Sequence, residues 1–556
     1  MKRLLFVLIF VFALGVMKGF SQPIDSTTLN TANITGTVNL DQNTIYIIKG
    51  FNVVQAGGAL VIPEGTLLKG DKTTTGTIIV QRGGIIHANG TAQRPIVFTS
   101  RIAPGNRAPG DWGGIVILGR SGSNTATGAD SAKIEGFPPG TDFYYGGQPR
   151  IDDDSSGVMR YCRLEYPGVN LTGQSGNEIN GLTMGGVGSR TVLEYIQVSY
   201  CGDDAFEWFG GNVNAKYLVA IGTIDDDFDC DAGYRGNVQF GLAVRDSNGF
   251  SDVSNSHFFE IDNNNNSPSN FNGPRTKPVF SNMTCIGPNS TTDPQFARGL
   301  HIRRNSQPSI FNSVMGGYGK LFYFDGSGVY NAATGDTIRM RNNAYSFIDE
   351  LGDTAGATAF SPTAWLMTPA WGSSVNNPLN AFQLENPLAF YGASGTDPIS
   401  NVNWWNPMGG SPVLSGASFS DPYLAGFMTT TYRGAFDNSG SNWLLGWSNF
   451  NMQNYEPTVS IQQISSNVPE RFTLSQNYPN PFNPSTKIAF NVPVKGFITL
   501  KVYDALGQEV ATLVNQNLSV GEYAYDFNAS ILSSGIYFYT LKGENFIETK
   551  KMLLVK

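Results

Sequence analysis

The sequence predicts an all-β chain: a long parallel β-solenoid followed by a small β-sandwich. Three observations point there. Charged residues make up only 14% of the 556, while glycine reaches 65 and aromatics 12%. That composition suits strands and turns rather than helices. Short apolar runs recur at offsets of 22, 26 and 34 residues, with glycine turns between them. Near the C-terminus, runs such as Ile498-Leu500-Val502, Tyr523-Tyr525-Phe527 and Ile536-Phe538-Thr540 alternate in the strand period of two.

The N-terminus predicts a secretory signal over residues 1–21. Lys2 and Arg3 precede an apolar run from Leu4 to Met17, and Gly19-Phe20-Ser21 provides the small residues a signal peptidase reads. The run is shorter than the ~20 residues that span a bilayer. No later stretch is long and apolar enough, so no transmembrane segment is expected in the mature chain. The net charge of −8 disfavours broad nucleic-acid binding, which needs a basic surface. Four cysteines, Cys162, Cys201, Cys230 and Cys285, allow three disulfide pairings or none.

Repeats organise the segment 22–340. Gln55-Ala-Gly57-Gly58 aligns with Gln81-Arg-Gly83-Gly84, Val158 to Gly168 with Val192 to Gly202, and Ala205 to Gly211 with Asp227 to Gly233. Such offsets are one coil of a parallel stack, in which each coil buries its inner face only against its neighbours. The offset of 34 predicts a loop insertion near Asn170–Asn180. The pattern at 57–100, and the phrase GDWGGIVILG at 110–119, resemble the opening coils of secreted right-handed β-helix proteins of an uncharacterised bacterial surface group. That resemblance implies a right-handed parallel β-helix. A Greek-key sandwich is the structural alternative.

Residues 341–450 are irregular and hold six of the eight tryptophans: Trp365, Trp371, Trp404, Trp405, Trp443 and Trp447. They read as a cap or lateral layer over the solenoid, or, at Trp404 and Trp405, as a platform for sugar rings. Residues 451–468 read as a linker.

Residues 469–556 carry a specific signature. It comprises FTLSQNYPNPFNPST at 472–486, Val502-Tyr503-Asp504, Leu506-Gly507, Gly521, Ser534-Gly535-Ile536-Tyr537 and a terminal KKMLLVK. The segment closely resembles the type A C-terminal sorting domain of the type IX secretion system of Bacteroidetes-like bacteria. The resemblance assigns the sorting signal to Pro479, Asn480, Pro481, Gly507, Gly521, Gly535, Tyr537 and Lys551. It implies the type IX machinery as partner and the outer face of the outer membrane, or release, as destination.

The acidic residues form the main candidate site. With Phe206 and Phe228 inward, strand alternation turns Asp203, Glu207, Asp225, Asp227, Asp229 and Asp231 outward. At offset 22, Asp203 falls beside Asp225 and Glu207 beside Asp229. Carboxylates that close repel unless a cation binds or one keeps its proton. Calcium, with six to eight oxygen ligands, suits them; capping of turns is the plainer reading. The run Asp152-Asp153-Asp154 reads as a solvated loop.

The expected function is a surface binding module for glycan or matrix polymers, stiffened by calcium. The rivals are a calcium-dependent polysaccharide lyase or glycoside hydrolase, and a structural surface-layer component. A lyase needs a base, for which Lys216, Arg303 and Arg304 are candidates. No GxSxG, HExxH or phosphate-binding GxxxxGK[ST] motif occurs.

Overall fold

The computed structural model describes residues 26–29, 33–125, 131–138, 140–141, 143–171, 178–245, 251, 255–264, 270–356, 358–388, 402–440, 442–453, 461–465, 469–518, 520–529 and 532–556. The signal peptide expected at 1–21 lies outside the described residues.

Each coil gives one strand to each of three parallel ladders. The repeats seen in the sequence are the ladder registers. Phe51 pairs with Thr77, Val158 with Val192, and Phe206 with Phe228. The inserted loop falls between the two short strands Val169–Asn170 and Glu178–Ile179. The third ladder runs through Phe51–Val54, Thr77–Val80, Gly114–Leu118, Leu182–Gly185, Phe206–Phe209, Phe228–Asp231, Phe259–Ile261 and Arg298–Ile302. It ends in the second halves of Val314–Phe324 and Ala344–Thr354.

Inward side chains of this ladder form one column: Ile78, Ile115, Leu182, Phe206, Phe228, Phe259, Leu300 and Phe322, all fully buried. The Phe206 and Phe228 rings stack at 5.7 Å, and Phe228 and Phe259 at 5.3 Å. A coil has no other partner for this face, so the stack itself is the core.

The first ladder opens with Ser26–Leu29, Ile45–Ile48, Leu67–Gly70 and Ile96–Ser100 and the second with Thr37–Asn39, Ala59–Ile62 and Ile85–Asn89, and the long strands Gly157–Glu165, Val192–Ser199, Ala215–Ile221, Asn237–Val244 and Val279–Ile286 bend from the second into the first. Each bends at a left-handed residue: Tyr161, Tyr195, Tyr217, Phe240 and Asn282 have φ between 49° and 62°. Asn312 and Asn342 continue the column with φ of 52° and 58°. Left-handed backbone is costly for an aromatic residue. Stacking offsets it, since Tyr161–Tyr195 and Tyr195–Tyr217 centroids are 4.3 Å apart.

The parallel ladder does not stop at 340. Ala344–Thr354 and Ser374–Val375 extend it. Beyond it, the tryptophan-rich segment lies against the outer face of the first ladder. Trp405, Trp447, Phe382 and Phe436 pack on Val219, Leu242, Ile286 and Val314. The segment returns along the stack and bonds to coil after coil. Arg433 donates to Asn343 O and Ser374 Oγ, Ala435 N to Thr284 Oγ1, and Met428 N to Gln239 Oε1. Asn449 N donates to Gln197 Oε1, and Arg107 Nη1 to Met452 O. Trp447 is fully buried, and its Nε1 donates to Trp443 O at 2.7 Å. Trp447→Ala should cost about 3–5 kcal/mol in urea unfolding of the full chain. A loss below about 1 kcal/mol would mean this layer is not part of the core.

The C-terminal segment is a sandwich of two four-stranded antiparallel sheets. Ile461–Ser465, inside the expected linker 451–468, pairs with Gly521–Asn528 as an edge strand. Ile488, Phe490, Ile498, Leu500, Tyr539 and Met552 fill the core. Most of the sorting residues fall on its turns and strand ends, while Tyr537 is buried in its core. Asn480 Oδ1 accepts Leu553 N at 2.9 Å, and Pro479 O accepts Thr486 Oγ1 at 2.8 Å. Buried Phe482, which follows Pro481, bonds through its backbone to Leu553 O and Val555 N, pinning the motif to the last strand. Gly507, at φ 80°, closes the turn whose three amides Asp504 receives. Tyr537 Oη donates to Ser533 O two residues before Gly535, and Lys551 O accepts Gln476 Nε2. Gly521 opens the strand that faces Ser485–Val492.

Candidate functional site

The outward side chains of the third ladder form a second column. In register order it reads Val53, Ile79, Val116, Thr183, Glu207, Asp229, Glu260, His301, Tyr323 and Asp353. Its apolar end is covered by Ile134, Phe143 and Tyr145, around the antiparallel pair Ser131–Lys133 and Tyr144–Gly146. Its middle is acidic and largely out of water.

Two overlapping groups of oxygens sit there. Asp203, Asp204 and Asp225 have carboxylate atoms within 4.8 Å of one another, and so do Asp204, Glu207 and Asp229. Asp204 belongs to both. The predicted neighbours Asp203/Asp225 and Glu207/Asp229 are thus brought together. Asp204, which strand alternation pointed inward, joins them because residues 202–205 form a turn rather than a strand. Asn180 Nδ2 donates to Glu207 Oε2, and Asp204 Oδ1 accepts Asp226 N at 2.8 Å. Asp229 Oδ1 is buried and accepts no hydrogen bond among the described residues.

Burial raises the carboxyls of Asp204, Glu207 and Asp229 well above the usual carboxylate range, and the charges of neighbouring carboxylates, Asp203 at Asp204, Glu135 at Glu207 and Glu260 at Asp229, add to it. Burial, with the charge of Asp262, lifts Asp231 to about 7. A divalent cation among Asp203, Asp204, Glu207, Asp225 and Asp229 would relieve the repulsion between them. The donor set, carboxylate oxygen throughout with one buried orphan atom, fits calcium.

Several predicted residues are placed elsewhere. Asp227 points into the stack, where it forms a fully buried pair with Arg245, Nε to Oδ2 3.0 Å. The turn before Phe228 reverses the expected alternation. Asp231 lies one pair along from Asp229, beside Asp262 and Glu135, outside both oxygen groups.

Arg303 and Arg304 are held as ion-pair partners. Arg303 Nη2 is 2.5 Å from Glu260 Oε1 and its Nε 2.7 Å from Asp262 Oδ1; Arg304 Nη1 is 2.7 Å from Asp262 Oδ2. Although burial opposes it, Glu260 and Asp262 raise the Arg303 guanidinium further above its ordinary value, so it makes a poor base. Lys216 shares a coil with the acids but lies on another face, between Glu194 and Gln239.

Trp404 and Trp405 are 9% and 1% exposed, so neither offers a ring face to a sugar; burying an indole in a layer won over displaying it. Asp152 pairs with Arg150 and accepts Ser121 Oγ, while Asp154 accepts Arg120 N. All four cysteines are buried thiols.

Sequence reasoning missed Glu135, Asp226, His257, Glu260, Asp262 and His301. The inward column could have revealed them, but Phe228 to Phe259 to Leu300 runs at offsets of 31 and 41, which insertions hide.

Beside the acidic column lies a polar cavity of about 410 Å³, lined among others by Ser121, Asn124, Thr125, Gln148, Arg150 and Asn272. A smaller one of about 150 Å³ shares Asn124 and Thr125 and reaches Glu135 and Asp231.

Three parallel ladders, a lateral layer and a terminal sandwich define a parallel β-helix protein with an export tail. Among the described residues no helix is long and apolar enough to cross a membrane. The chain belongs to the family of the pectate-lyase like beta helix domain, whose model matches residues 32–372. Residues 476–556 match the secretion system C-terminal sorting domain, which marks the chain for export by the type IX machinery to the cell surface or beyond. No curated protein matches the chain. Among solved structures, the Dettilon tailspike protein is similar over 92% of this chain and 88% of its own. It is 12% identical with a TM-score of 0.23, a likeness that carries no argument about function.

Proposed function

We propose that this is a cell-surface β-helix that retains extracellular glycan on the outer face of the outer membrane, with calcium held by its acidic column. The observation that carries it is the run of carboxylates through Asp203, Asp204, Glu207, Asp225 and Asp229. Left bare, these groups repel across adjacent coils. With calcium they would clamp them. Glycan is supported by the neighbouring cavity, whose hydroxyls, amides and one guanidinium suit sugar hydroxyl groups.

The non-enzymatic reading is favoured over a lyase. Lys216 faces away from the acids, and Arg303 and Arg304 are committed to Glu260 and Asp262.

The test uses the full chain on immobilised pectin, alginate and neutral glucan, with calcium or with chelator. Calcium-dependent retention, weakened by Gln148→Ala with Asn272→Ala, is expected. Absorbance of unsaturated uronate product is followed in parallel. A calcium-dependent rise would replace the binder with a lyase, and no retention on any polymer would remove the glycan reading.

A further inference from the structure

The buried imidazoles beside the acidic column are not explained by oxygen ligation of calcium. Glu260 and His301 lie directly opposite on adjacent coils, and His257 sits three residues before Glu260. Phe259, Ile261, Leu300 and Ile302 are buried in the core, so alternation turns Glu260 and His301 to the same outer side. One ligand atom from each of His257, Glu260 and His301 lies within 4.8 Å of the others.

The geometry is close to a coordination polyhedron. Glu260 Oε2 is 3.3 Å from His301 Nδ1 and 3.7 Å from His257 Nδ1. A tetrahedral ion with nitrogen and oxygen ligands at ~2.0–2.1 Å sets its ligand atoms about 3.3–3.4 Å apart. Asp226 Oδ1, 2.9 Å from His257 Nδ1, lies outside this three-residue group and steadies that ring.

Outer contacts already hold these groups in place. Asp226 Oδ1 also accepts the His257 backbone amide at 2.6 Å. Arg303 takes Glu260 Oε1 and leaves Oε2 turned to the histidines. Asp325 Oδ2 stands 3.5 Å from His301 Nε2, the carboxylate–histidine arrangement that supports a metal-bound ring. His257 is 1% exposed, and its Nε2 has no hydrogen-bond partner among the described residues.

We propose that His257, Glu260 and His301 form a second metal site that takes a divalent transition ion of the zinc class, with Asp226 steadying the His257 ring from outside it. Imidazole nitrogens select such ions, whereas calcium requires oxygens, so the two sites divide the metals between them. This inference stands whether or not the carboxylate groups bind calcium.

The test is equilibrium dialysis of the full chain against zinc, with calcium in large excess, followed by elemental analysis. Zinc should be retained at one ion per chain, and His301→Ala should weaken retention by more than about tenfold. X-ray absorption of the zinc-loaded unsubstituted chain should show two imidazole ligands, a readout that holds even if His301→Ala fails to fold. Displacement of zinc by calcium, undiminished retention in a folded His301→Ala chain, or absorption without imidazole would each overturn the proposal.

Discussion

Replacing Arg245 with methionine should destabilise the β-helix by about 3–5 kcal/mol, the cost of taking one partner from a buried ion pair. Arg245 and Asp227 are both fully excluded from water, with Nε 3.0 Å from Oδ2. Arg245 also donates to Thr223 O at 2.8 Å and to His257 O, so its loss takes a donor from two buried carbonyls, of which His257 O keeps Asp227 N. Burial pushes the Asp227 carboxyl up to about 7, against the pull of Arg245. Without the guanidinium the carboxyl would keep its proton at neutral pH. The double variant Asp227→Leu, Arg245→Met removes both charges and should recover most of the loss, since buried pairs replaced by apolar groups are often near neutral. Urea unfolding of the three chains measures both effects. A single-variant loss below about 1 kcal/mol, or a double variant no better than Arg245→Met, would mean that the pair does not help hold the coil.

The second large effect concerns pH. In chelator, stability should fall as pH rises from 5 to 8, by roughly 3–5 kcal/mol in all. Asp231 near 7, with Asp204, Glu207 and Asp229 also raised, keeps protons in the folded chain that the unfolded chain has already released. The folded state binds more protons across this window, so raising the pH favours unfolding. Glu260 runs the other way. Burial alone would raise it, but the hydrogen bond from His301 and the charges of Arg303, His257 and His301 hold it at about 2. Its contribution is lost only below the ordinary carboxylate range, outside the window.

Calcium should flatten or reverse this slope, because it takes the place of the protons. At 100 times its dissociation constant it adds about 2.7 kcal/mol. Glu207→Gln with Asp229→Asn should abolish the calcium effect and leave a chain more stable in chelator at pH 8 than the unsubstituted one. Thermal melts with calcium and with chelator, at pH 5, 6.5 and 8, read all of this. Stability rising with pH in chelator would show that the carboxylates are paired rather than strained.

Much of the fold was legible because a stack repeats its sequence wherever coil length is constant. The offsets of 26, 34 and 22 became Phe51–Thr77, Val158–Val192 and Phe206–Phe228. Legibility ended where loops of unequal length enter, after Asp231. Glu260 and His301 therefore went unseen although they occupy the same column as Glu207 and Asp229. Asp227 was misassigned for a local reason: alternation holds within a strand, and Asp227 precedes one. The tryptophans show a different limit. Their clustering is visible in sequence, but whether an indole faces a sugar or the layer beneath depends on tertiary contact, and Trp404 and Trp405 face the layer. The sandwich was readable down to its turns, since Asp504-Ala-Leu-Gly507 folds locally.

A bare stack of coils touches only nearest neighbours and can peel open from either end. The returning segment changes that. It leaves the last coils near Ser374, bonds in turn to Asn312, Gln239 and Gln197, and reaches Gly105 through Gln453. Tension applied through the C-terminal sandwich therefore enters the molecule along its flank, shared among many coils, and not at one terminal coil. A surface-held protein built this way should resist pulling up to a threshold and then give way as a unit, where an unstrapped solenoid would pay out coil by coil.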